Sequence, residues 1–65
     1  MSHDENRAEY LIARYLKAAK EARSLAAQIE SSTSRAVMLE VAETWERLAH
    51  LEETDLERKL SYPSN

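Results

Sequence analysis

Ser31-Ser32-Thr33-Ser34 decides the fold: four consecutive hydroxyl residues between two long runs of helix-forming sequence. Their side chains compete for backbone hydrogen bonds and so favour caps and turns over helix interiors. The reading is a loop over about residues 31–34, with one hydroxyl capping the helix that follows. A connection this short returns the second helix antiparallel to the first.

Upstream, apolar residues recur with heptad spacing. Ala8, Tyr15, Ala22 and Ile29 occupy one position, Leu11, Ala18 and Leu25 a second, and Ile12, Ala19 and Ala26 lie beside them. Three positions per heptad make a stripe wider than a two-stranded coiled-coil seam, as a bundle helix requires. The spacing predicts helix 1 over about residues 4–30, with Ser2-His3-Asp4-Glu5 as an S-x-x-E capping box at its start.

Downstream, Met38, Val41, Ala42, Trp45, Leu48 and Ala49 repeat the stripe, and Leu56 and Leu60 extend it past an interruption at Glu52, Thr54 and Asp55. Helix 2 is predicted over about residues 35–60, its last turns the most prone to fray. Arg58 and Lys59 suit the negative end of the helix dipole. Ser61-Tyr62-Pro63 marks the stop, because the residue before proline avoids helical geometry, and residues 61–65 read as a tail.

Closing this hairpin about the hydroxyl run places Trp45 near Ala18, Ala19 and Ala22, large against small, and makes Trp45 the expected centre of the core. Leu25 and Ile29 are then expected to face Val37, Met38 and Val41, while Ala8, Leu11 and Ile12 approach Leu48, Leu51 and Leu56. The association and core set is Leu11, Tyr15, Ala18, Ala22, Leu25, Met38, Val41, Trp45 and Leu48. Tyr10, Leu16, Leu39 and Leu51 lie off the main stripes and are the candidate dimer or partner contacts.

At 65 residues, without cysteine, the chain has neither a disulfide staple nor a thiolate metal site to support a small core. Oligomerisation is the support that remains, and the expected assembly is a homodimer closing into a four-helix bundle. With 43% hydrophobic and 32% charged residues the composition is that of a folding chain. There is no glycine and one proline, Pro63, so nothing breaks the backbone across residues 1–62. The longest apolar run, Ala36-Val37-Met38-Leu39, is far short of the roughly 20 residues of a membrane span. The first residues are polar and acidic where a secretory signal would be basic and then apolar, so the expected location is cytoplasmic.

The chemistry-bearing residues form no catalytic constellation. No nucleophile is spaced to meet a base, and phosphate loops need glycine, so neither enzymatic activity nor a cofactor is expected. Glu46, His50 and Glu53 share a helix face and raise a metal-binding alternative, but Arg47 stands where a Glu-x-x-His motif would place its carboxylate. Arg14, Lys17, Lys20 and Arg23 raise a regulatory nucleic-acid alternative. Steps of three on a helix spread those bases around it, and the net charge of −3 opposes a phosphate backbone. Acidic helix 2 supplies partners closer by: Glu43 or Glu46 for Lys20 or Arg23, and Glu52 or Glu53 for Arg14.

Ala22-Arg23-Ser24-Leu25-Ala26, Arg35-Ala36-Val37-Met38-Leu39 and Ala42-Glu43-Thr44-Trp45-Glu46-Arg47-Leu48-Ala49 together form an ARxLA, RxxML, AxxWxxLA pattern. It resembles a group of short bacterial helical-hairpin proteins of unknown function, over about residues 15–50. The resemblance implies a hairpin fold and self-association, and carries no activity.

Overall fold

The computed structural model describes residues 3–61, with side chains from Asn6. Two helices account for nearly all of them: α1, His3–Gln28, and α2, Ser32–Ser61. Arg23 reaches Glu46, while Ala8 and Leu11 share a groove with Leu56, so the helices pack against each other antiparallel. There is no strand among the described residues. The expected capping box depends on Ser2, and the proline stop on Pro63; both lie outside the described residues.

The connection is tighter than the hydroxyl run suggests. α1 stops at Gln28, where Ile29 N donates to Ala26 O at 3.1 Å and tightens the final turn. Ser31 is the cap of α2: its Oγ accepts from Ser34 N at 3.3 Å and its carbonyl from Arg35 N at 2.9 Å. Ser32, Thr33 and Ser34 therefore form the first turn of α2 instead of a loop. Backbone donors are unsatisfied there, so hydroxyl residues cost little.

Neither a glycine nor a basic residue in its last turn is available to end α1. Arg35 does that work from the neighbouring helix. Its Nε donates to Ile29 O and its Nη2 to Glu30 O, each at 3.1 Å, so one guanidinium closes the linker carbonyls. α2 continues through Glu52, Thr54 and Asp55 to Ser61, with Leu56 partly buried and the Lys59–Asp55 pair at 3.5 Å on its last turns.

The seam between the helices is alanine. Among the described residues Ala19, Ala22, Ala26, Ala42 and Ala49 are the buried hydrophobic ones, and no polar side chain is buried with them. Small residues on both sides let the backbones approach closely, and larger side chains are pushed to the margins. Leu11, Ile12, Tyr15, Ile29, Met38, Leu39, Trp45, Leu48 and Leu56 are accordingly partly buried. The chain forms a plank of 55 × 15 × 10 Å, one helix thick in its shortest dimension. Each helix has a single neighbour.

Candidate association surface

Trp45 and Glu46 are adjacent in sequence and, at 100° per residue, diverge to opposite sides of the Ala42–Ala49 line. The seam thereby separates two unlike faces. On Glu46's side Arg23 closes over the helices with a two-pronged contact, Nε to Oε2 at 2.9 Å and Nη2 to Oε1 at 2.7 Å. Hydrogen bonding and the opposite charge raise the Arg23 pKa and lower that of Glu46 below the usual carboxylate range. Arg23 with Glu46 is one of the pairings expected from sequence.

On Trp45's side the surface is apolar. The indole stacks on Tyr15 with centroids 5.7 Å apart and planes at 28°. It lines one groove with Tyr10, Leu11 and Ala18 and a second with Val41, Thr44 and Leu48. Trp45 thus marks the margin of the alanine seam, not the centre of the core: its large ring cannot enter a gap set by alanine. Leu25, expected to face Val37, Met38 and Val41 in the interface, is not buried there for the same reason. Leu25 is 51% exposed, Val37 55% and Val41 38%.

Of the association and core set, Ala22 is buried in the hairpin, and Leu11, Tyr15, Ala18, Met38, Trp45 and Leu48 are partly buried. Leu25 and Val41 are exposed, Val41 the less so. Among the residues expected to stand apart, Tyr10, Leu16 and Leu51 are exposed, while Leu39 is partly buried. Val37 escaped the sequence reading as a surface residue because a single broad stripe was assigned to helix 2. Two interleaved heptads account for these positions better. Met38, Ala42, Trp45, Ala49, Glu52 and Leu56 run along the α1 side, and Val37, Val41, Thr44, Leu48 and Leu51, one residue earlier, run along the exposed side. That double phase was legible in the spacing.

The four bases do not form one patch. Arg14 and Arg23 are nine residues apart on one helix and point to opposite sides. Arg14 does not reach Glu52 or Glu53: its Nη1 donates to Tyr10 Oη at 3.0 Å and its Cζ lies 5.7 Å from the Tyr10 ring centroid. Lys17 and Lys20 flank a groove that also holds Glu21 and Leu25. Glu46 is engaged by Arg23, and no group of three or more histidine, cysteine, aspartate or glutamate residues among those described could hold a metal ion. No helix among the described residues is long and apolar enough to cross a membrane.

The chain exposes 5321 Å² of surface, against about 4,200 Å² expected for a compact globular chain of this size. Its radius of gyration is 15.3 Å, where a compact chain would have about 11 Å. The excess of roughly 1,100 Å² compares with the ~800 Å² that each partner loses in a standard protein interface.

No family model matches the chain, and neither a curated protein nor a solved structure is significantly similar to it.

Proposed function

We propose that this protein is a non-enzymatic helical association module that pairs with a second copy of itself, forming a homodimeric four-helix bundle in the cytoplasm. The observation that carries the reading is the apolar face around Trp45, where Leu25, Val37 and Val41 stay exposed beside a hairpin in which the buried residues, among those described, are all alanine. Alanine contributes little burial per residue, so the hairpin lacks the apolar content of an independent small domain. A second hairpin on this face removes apolar surface from water and gives α2, which carries most of it, a second neighbour. The nucleic-acid alternative draws no support from four bases of which Arg23 is committed to Glu46 and Arg14 leans on Tyr10.

Sedimentation equilibrium from low micromolar concentration upward tests the reading. A mass of two chains is expected, with a melting temperature that rises with concentration. A folded single chain over the whole range would overturn it.

A further inference from the structure

Resting on that self-association reading, we infer that the two copies pack α2 against α2, antiparallel, along the exposed heptad Val37, Val41, Thr44, Leu48 and Leu51, about a two-fold axis passing beside Glu43 and Thr44.

The chemistry along that line is continuous. Val37, Val41 and Leu51 are exposed, Leu48 is partly buried, and Trp45 borders the line on its α1 side. Thr44, the one polar member, donates its hydroxyl to Glu40 O at 3.0 Å and so enters an apolar seam with its donor already satisfied. The corresponding outer flank of α1 mixes Tyr10 and Ala18 with Arg14, Lys17 and Glu21, and the Arg14 guanidinium lies over the Tyr10 ring, so the charged groups interrupt any dry contact there. α2 is therefore the docking element.

Charge sets the direction. On the flank of the seam away from α1 stand Glu40 and Arg47, one heptad apart, both exposed and neither in an ion pair among the described residues. Their midpoint falls between Glu43 and Thr44. A second copy running antiparallel about that midpoint places its Arg47 against Glu40 and its Glu40 against Arg47, two opposite-charge contacts from one self-complementary patch. The same register brings Asp55 to the start of the other copy's α2, a positive helix end with no acid in its own first turn. A parallel arrangement would instead set Asp55 against Asp55 in the seam and leave Glu40 beside Trp45.

The occupant is a second copy because the surface is complementary to itself, and because the excess area is large enough to supply one partner's ~800 Å² share of a standard interface.

Charge exchange tests the register. Sedimentation of the wild type, Glu40→Arg, Arg47→Glu and the double exchange should show a dimer, two variants weakened at least tenfold in dissociation constant, and recovery in the double exchange. Circular dichroism checks that each remains helical. A wild type that dimerises while the single exchanges have no effect, or while the double exchange fails to recover, would overturn the register and leave self-association standing. Weakening by Arg47→Glu alone points to a parallel pair and likewise overturns it. A monomeric wild type would remove both readings. The chain has no cysteine, so single substitutions give an independent measurement that does not depend on charge. Under oxidation Thr44→Cys should cross-link two copies at the axis and Val37→Cys should not; efficient cross-linking at Val37 would overturn the antiparallel arrangement.

Discussion

Tyr15 and Trp45 stack across the two helices, ring centroids 5.7 Å apart and planes at 28°, on the margin of a seam that alanine fills. The pair joins α1 to α2 where the hairpin is otherwise closed by small residues, and the indole also lines the grooves that hold Tyr10 and Val41. It belongs both to the hairpin's stability and to the surface that a second chain would cover.

Trp45→Ala should therefore destabilise the protein by about 2–3 kcal/mol in dilute solution, below the ~3–5 kcal/mol of a fully buried aromatic, because the ring is only partly buried in the single chain. Urea denaturation gives the value. A midpoint within error of the wild type would remove the indole from the packing.

The alanine seam predicts an asymmetry between large and small. Ala42→Leu should cost about 1–3 kcal/mol by forcing the helices apart, although leucine is hydrophobic and helix-forming. The same change at exposed Ala27 should be close to neutral. Equal melting temperatures for the two variants would show that the seam is not closely packed.

Ser31→Ala removes the side-chain cap of α2 and should cost about 0.5–1 kcal/mol, the low end of the capping range given the 3.3 Å contact. Ser32→Ala, within the first turn, should cost less. Chemical denaturation distinguishes the two, and an equal loss from both would show that Ser31 is not the cap.

The Arg23–Glu46 contact predicts a pH dependence of defined sign. Glu46 is held below its ordinary pKa, chiefly by the hydrogen bonds from Arg23. Its contribution to stability is then intact above the unfolded value of about 4.3, and is lost as the pH falls through the lowered folded value. The melting temperatures of wild type and Glu46→Gln should differ at neutral pH and converge in acid. A difference that persists unchanged into acid would assign the effect of the substitution to something other than this ion pair.

Sequence by itself determined the number of helices, their antiparallel return and a hydroxyl cap, and narrowed the cross-helix ion pair to Lys20 or Arg23 with Glu43 or Glu46; the folded geometry selected Arg23 with Glu46. Each of these depends on periodicity or on residues near one another in a regular hairpin. Tertiary structure decided which side chains the hairpin buries. Heptad spacing places Ala22 with Leu25 on the stripe of helix 1 and Val41 with Trp45 on that of helix 2, but once the alanines meet, the narrow gap excludes the larger groups and leaves Leu25 51% and Val41 38% exposed. The helix ends followed the same division: the hydroxyl run foretold a cap, but only the folded turn showed Ser32, Thr33 and Ser34 inside α2 and Arg35 reaching back to the carbonyls of Ile29 and Glu30. Periodicity specifies a side chain's direction; the distance between backbones, which sets how much of it is covered, is fixed by the smallest residues that meet.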